Sequence, residues 1–220
     1  MAAFSQATAS YGHFALRVQA IAAALLLFAA PAEARALHVV ALGDSLTAGF
    51  GLPPGQAFPD VLSHALKAKG WDVEVTNAGV SGETAEDGLA RYDWSVPAGT
   101  DALIVELGAN DMLRGLPPDS AKSALEQILV KAAQGHVAVL LTGMRAAPNF
   151  GAQYQKQFDA IYPDLAARYG VALYPFFLDG IAGDAKLNQK DGLHPTREGV
   201  EKIVAGILPS VERLLAGIKP

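Results

Sequence analysis

From residue 37 onward, short apolar runs alternate with stretches whose apolar residues recur at helical spacing, and this alternation constrains the fold more than any other feature. Runs rich in valine, leucine and isoleucine suit strands buried on both faces. Such strands belong to parallel sheets covered by crossover helices. They predict strands at 37–43, 71–76, 101–107, 136–142 and 171–175. A helix is expected at Phe58–Lys69, with Val61, Leu62, Ala65 and Leu66 on one face. Another is expected at Asp119–Gln134, capped by Asp119 after Pro117-Pro118, with Leu125, Ile128 and Leu129 inward. A third, Ala152–Tyr169, ends at Gly170 and should be kinked or split by Pro163. The last, Thr196–Leu215, carries Val200, Ile203, Val204, Ile207 and Leu208 as its buried stripe. The expected fold is α/β, a three-layer α/β/α sandwich with a five-stranded, mainly parallel sheet. Right-handed crossovers put every strand's carboxyl end on one edge, so chemistry is expected in loops 43–57, 77–84, 107–118, 143–151 and 176–195.

A chain of 220 residues, 51% of them hydrophobic, can bury the core of one domain. The net charge of −5, with no cluster of Lys or Arg, offers no basic face to phosphates, so nucleic acid is not an expected partner. With no cysteine, thiol catalysis, disulfides and thiolate metal sites are excluded. After Arg17, the apolar run Val18 to Ala30 is shorter than the roughly 20 residues that span a bilayer. Ala30-Pro31-Ala32 and Ala34-Arg35-Ala36 follow as small-residue cleavage patterns. The expectation is a signal peptide at 1–36, cut after about Ala32 or Ala36, and a mature domain at 37–220. That domain would be periplasmic or secreted, with no stable membrane span.

Four loops on the predicted edge carry groups capable of chemistry. In His38-Val39-Val40-Ala41-Leu42-Gly43-Asp44-Ser45, the serine follows the first strand, where it can cap a helix or act as a nucleophile. In Asn77-Ala78-Gly79-Val80-Ser81-Gly82-Glu83-Thr84, the glycines can expose amides to a ligand or form an ordinary turn. Gly108-Ala109-Asn110-Asp111 places a neutral amide donor at a strand end, where asparagine can equally stabilise a turn. In Asp191-Gly192-Leu193-His194-Pro195, the carboxylate can reach the ring of His194 and fix its tautomer, or the pair can be a charged turn before the last helix. Pro195 biases His194 away from helix. The other histidines suit surface positions or the leader: His13 in the latter, His38 opening a strand, His64 on a polar helix side, His136 before a strand.

Together the four blocks resemble, in order, those of the GDSL or SGNH hydrolase family, and the resemblance covers the chain after residue 37. Asp44 to Gly49, Val105-Glu106-Leu107-Gly108, Ile161-Tyr162-Pro163 and Pro175-Phe176-Phe177 resemble the thioesterase I, lysophospholipase and arylesterase branch. The resemblance implies a flavodoxin-like SGNH domain that cleaves carboxylic esters and thioesters without cofactor or metal. It implies Ser45 as nucleophile, His194 as base and then acid, and Asp191 as orienter. The oxyanion hole would be the amides of Ser45 and Gly82 with the Asn110 side chain, and Asp44, Asp111, Met144, Ala146, Pro148 and Phe150 would meet substrate. Substrates would be small acyl esters, acyl thioesters or lysophospholipids. Loop Thr142 to Phe150 resembles the branch's acyl-binding wall but has Ala146 and Ala147 where a Leu-Pro pair is expected, which implies a changed acyl preference. Ala109 replaces a common glycine, and no Gly-x-Ser-x-Gly elbow occurs.

The chemistry fits these residue types. A serine hydroxyl needs a base within hydrogen-bond reach to attack a carbonyl, and each preorganised donor to the oxyanion is worth about 2.7–4 kcal/mol. Two other readings are a flavodoxin-like binding module and a polysaccharide O-deacetylase. A phosphate-binding module would want a lysine in the first loop, which has none, and has no use for Asp191 and His194. Sugar binding would favour more aromatic and polar groups than loops 111–118 and 144–154 offer.

Overall fold

The structure is a computed structural model that describes residues 35–218, so all but the last two residues of the leader expected at 1–36 lie outside the described residues. Strand β1 (Leu37–Gly43) is buried from Val39 onward because it is paired along both edges. On one side lies β2 (Val73–Gly79); on the other β3 (Ala102–Glu106), then β4 (Ala138–Thr142) and β5 (Ala172–Tyr174). The order is β2-β1-β3-β4-β5 and every pairing is parallel. Val40, Leu42, Leu103 and Ile104 are fully buried between the helical layers, as expected of strands covered on both faces.

Short helices α1 (Ser45–Ala48), α3 (Ala85–Ala90), α4 (Tyr92–Ser95) and α5 (Ala109–Leu113) follow the strands and escape a periodicity reading, being too short to show a period. The longer ones are α2 (Phe58–Ala68), α6 (Pro118–Gln134), α7 (Ala152–Asp159), α8 (Ile161–Tyr169) and α9 (Arg197–Ala216). Helices α2 and α9 pack on each other, α2 reaching β2 and α9 reaching β4 and β5. Helix α6 packs on α3, α8 and β4. The five-stranded parallel sheet with flanking helices is the expected α/β architecture.

Local differences have physical causes. Strand β2 runs Val73–Gly79 rather than 71–76 because its register follows β1, from Leu37 against Val73 to Gly43 against Gly79, and this pairing overrides the poor strand propensity of Asn77 and Gly79. Asp119 is not a cap: the N-cap is Pro117, and α6 begins at Pro118, whose missing N–H costs nothing in a first turn. The helix expected at Ala152–Tyr169, kinked or split by Pro163, is indeed split in two, with the break at Ala160 rather than at the proline. Pro163 lies in the first turn of α8, where its nitrogen has no intrahelical acceptor to lose. The last helix starts with Thr196 as its cap, the hydroxyl accepting from the Gly199 amide at 3.2 Å, and runs through Pro209.

Because β1 has β2 on one side and β3 on the other, chain order reverses between β1 and β3. In open parallel sheets, the crevice outside the strand ends at such a point is where ligands bind. Ser45 follows β1 there, and Asn110 follows β3.

Candidate active site

At Gly43 the chain turns directly from β1 into α1. Asp44 is the N-cap, its Oδ1 accepting from the Leu46 amide at 3.0 Å, so of the two roles open to Ser45 the cap falls to its neighbour. The turn rests on a buried acid from β3. Glu106 Oε2 accepts from Thr47 Oγ1 at 2.7 Å, the Thr47 amide at 3.1 Å and the Asp44 amide at 3.3 Å. This fit needs glycine at 43, since a Cβ there would lie 2.1 Å from Thr47 Oγ1 and 2.7 Å from Glu106 Oε2. The amides of Asp44, Leu46 and Thr47 are all taken, whereas the Ser45 amide meets no acceptor among the described residues.

The last loop brings His194 to this turn. Its Nε2 is 2.9 Å from Ser45 Oγ, and its Nδ1 is 2.7 Å from Asp191 Oδ2. Asp191 Oδ1 accepts from the amides of Leu193 at 2.9 Å and His194 at 3.1 Å, an Asx-type turn that fixes the carboxylate against its own loop. The Leu193 amide, the His194 ring and the His194 amide hold the Asp191 carboxyl down to about 2. It is therefore ionised wherever an imidazole titrates. A carboxylate at Nδ1 assigns the ring proton there and leaves Nε2 as acceptor for the serine hydroxyl. Gln189 ties this loop to the first one: its Nε2 donates to Phe50 O at 2.7 Å and Pro195 O at 2.9 Å, and its amide donates to His194 O at 2.7 Å. The Phe50 ring lies tilted 4.5 Å from the His194 ring.

Asn110, at the start of α5, points its Nδ2 at Asp44 Oδ2 and Glu83 O, both at 2.9 Å. The two glycines of the second loop differ in kind. A side chain at Gly79 would strike the Ala48 backbone at 2.3 Å, so this glycine serves close packing. Gly82 has φ +86°, with its nearest outside atom, Arg114 Nη2, 3.9 Å from a notional Cβ. Arg114 donates to Gly82 O, and the Gly82 amide has no acceptor among the described residues. Below them, buried Arg91 contacts Glu83 Oε2 at 2.5 Å, Ser95 Oγ at 2.9 Å and Gly43 O at 3.0 Å, linking the second loop to the end of β1.

Asp44 and Glu106 are both fully buried. Burial pushes Asp44 up to about 6, against the pull of its bonds to Leu46 and Asn110. Burial, reinforced by the charge of Asp44, pushes Glu106 well above the usual carboxylate range. The two carboxyls share a side-chain hydrogen bond, and Glu106 Oε1 meets no N–H or hydroxyl donor among the described residues.

Of the residues singled out in the sequence, Ser45, His194 and Asp191 form one chain of contacts, and Asn110 joins it through Asp44. The expected substrate contacts divide. Asp44 and Asp111 are buried and bond protein amides, Asp111 Oδ2 accepting from Ala85 N at 2.8 Å, so both are supports of the site rather than its lining. Met144 and Ala146 are also buried. The Ala146 amide donates to Asp159 Oδ1 at 2.8 Å, and its carbonyl accepts from Gln155 at 3.1 Å. Pro148 is exposed and Phe150 half-buried, so these two remain open to a ligand. Glu106, Arg91 and Gln189 were not singled out. Glu106 carried a signal, as the single charge in Ala102-Leu103-Ile104-Val105-Glu106, where a carboxyl must be bonded or neutral. Arg91 and Gln189 bond partners 48 and 139 residues away, with no local signature. Among the described residues no three His, Asp or Glu side chains gather as metal ligands, and no helix is long and apolar enough to cross a membrane.

A serine hydroxyl bonded to an imidazole that faces a carboxylate can lose its proton as it attacks, and amides beside it can receive developing negative charge. Comparison with known proteins agrees with this chemistry. Residues 41–202 match the GDSL-like lipase/acylhydrolase family. The chain is 37% identical over 193 residues to esterase TesA of Pseudomonas aeruginosa, covering 87% of this chain and 95% of that protein. It is 37% identical over 158 residues to thioesterase 1/protease 1/lysophospholipase L1 of Escherichia coli K12, covering 71% of this chain and 74% of that one. The crystal structure of AlinE4, an SGNH-hydrolase family esterase, superimposes with a TM-score of 0.70 at 43% identity, covering 84% of this chain and 99% of that one.

Proposed function

Because the chain belongs to the GDSL-like lipase/acylhydrolase family and is an SGNH esterase, we propose that it hydrolyses carboxylic esters and thioesters through a Ser45–His194–Asp191 triad and an acyl-enzyme. The observation that carries this reading is the contact chain from Ser45 Oγ to His194 Nε2 at 2.9 Å and from His194 Nδ1 to Asp191 at 2.7 Å.

Ser45 Oγ attacks the acyl carbon while its proton passes to Nε2 of His194, and Asp191 steadies the imidazolium. The oxyanion takes hydrogen bonds from the amides of Ser45 and Gly82 and from Asn110 Nδ2. Both N–H groups of Asn110 are engaged in the free protein, so one must be shared between Asp44 or Glu83 and the oxyanion. His194 then protonates the departing alkoxide or thiolate. A water, deprotonated by His194, attacks the acyl-serine, and collapse returns the proton to Ser45.

Exposed Phe50, Val80, Leu113 and Leu193 lie on the loops that carry Ser45, Gly82, Asn110 and His194. They provide apolar surface suited to an acyl chain. Together with the names of the relatives, this supports acyl esters, acyl thioesters or lysophospholipids as the substrate class. Export is proposed on the pattern at 1–36, and sequencing the mature amino terminus tests it: a terminus after Ala32 or Ala36 is expected, and one at Met1 contradicts it. The mechanism is tested by Ser45→Ala, which should abolish p-nitrophenyl ester hydrolysis with the circular dichroism spectrum unchanged. Retained turnover overturns it.

A further inference from the structure

Glu106 stands outside the proposed triad and oxyanion hole, yet it holds the turn that carries the nucleophile. A helix start exposes N–H groups that compete for any nearby acceptor. Here Glu106 takes those of Asp44 and Thr47, together with the Thr47 hydroxyl, and Asp44 takes that of Leu46. Of the amides in this turn, that of Ser45 meets no acceptor among the described residues, and it lies directly beside the hydroxyl. The close fit at Gly43, which admits no side chain between Thr47 and Glu106, fixes this arrangement sterically.

The charge of Glu106 follows from its surroundings. Its Oε1 accepts from no N–H or hydroxyl donor among the described residues, its carboxyl faces that of Asp44 in a side-chain hydrogen bond, and buried Arg91 bonds Glu83, Ser95 and Gly43 instead of either acid. A bare carboxylate oxygen in a dry site costs far more than a neutral hydroxyl left there. Asp44 accepts from two N–H donors and sits in the same buried space, and two such carboxyls do not both ionise. We propose that Glu106 is a positioning residue for the nucleophile, an uncharged carboxyl that fixes the Asp44 and Thr47 amides so that the Ser45 amide is left to donate to the oxyanion. It acts through the turn and touches no substrate. Burial, which drives its proton affinity up, acts in the same direction.

This inference rests on the serine mechanism above and is tested separately from it, by kcat and KM for a p-nitrophenyl ester with Glu106→Ala and Glu106→Gln. The alanine variant should lower kcat about tenfold or more with KM within about twofold, as expected when an interaction made in the transition state is lost. Glutamine keeps a neutral acceptor at the same place and should restore kcat to within about threefold of the wild type. Either a glutamine variant as impaired as the alanine one or an alanine variant with wild-type kcat overturns the proposal. Should the alanine variant fail to fold, as judged by its melting curve, the glutamine variant decides alone. Failure of the serine mechanism is recognised independently, by turnover in Ser45→Ala.

Discussion

Gly43 carries more constraint than its neighbours, because both the Thr47 hydroxyl and the Glu106 carboxyl occupy the space a side chain would fill. Gly43→Ala should therefore destabilise the fold by about 1–3 kcal/mol, read as a lowered unfolding midpoint, and depress kcat as well; wild-type values for both would show that the turn yields freely. Asp191→Asn keeps the shape of the last loop but replaces the acceptor that dictates the tautomer of His194. A fall in kcat on the order of 10⁴-fold is expected, the size this change has in a Ser-His-Asp triad. Asp44 gives a pH signature. Its carboxyl titrates at about 6 in the folded chain against 3.8 as a free group, so the folded state holds the proton more tightly. The stability it contributes is present below about 4 and is lost as pH rises through about 6. Melting temperatures across that window should fall with rising pH more steeply in the wild type than in Asp44→Asn. Equal slopes would place the titration elsewhere.

At the scale of elements, the α7–α8 pair fixes the segment that follows β3. Phe150, Tyr154, Phe158 and Tyr162, four residues apart, form a ladder with ring centroids 5.2, 5.9 and 5.9 Å apart. Its inner end donates from the Tyr162 hydroxyl to Leu107 O at 2.9 Å, and Tyr154 donates to Leu116 O at 2.9 Å, so the segment bearing Asn110 is pinned from both ends. Tyr162→Phe leaves the buried Leu107 carbonyl without this donor and should cost about 1–3 kcal/mol in a denaturation series. An unchanged midpoint would remove the bond from the set that holds this loop. The periodicity of 152–169 and its proline revealed a helix that splits, but not that the break falls at Ala160, which leaves Pro163 in the first turn of the second helix, where a proline is tolerated. Likewise, Asn77 to Gly79 read as loop by propensity and became strand through pairing with β1. Both misses concern boundaries set by a neighbouring element rather than by the residues themselves.

For the whole molecule, the order β2-β1-β3-β4-β5 puts the loops after β1 and β3 at the reversal of chain order, where residues 149 apart in sequence come within one hydrogen bond. The groups proposed to react were legible because the strand pattern assigns their short loops to one edge and the four blocks together resemble those of a known family, although each block alone kept a second reading. Their supports were not: the bonds from Arg91 to Gly43, from Gln189 to Phe50 and from Thr47 to Glu106 exist only once the sheet is assembled. The mechanism proposed above depends on Ser45 becoming acylated, and rapid-quench mass spectrometry during p-nitrophenyl ester turnover measures that directly. The expected result is an acyl group on the peptide containing Ser45, absent in Ser45→Ala. Turnover with the acyl group on another residue, or undiminished in Ser45→Ala, would contradict it.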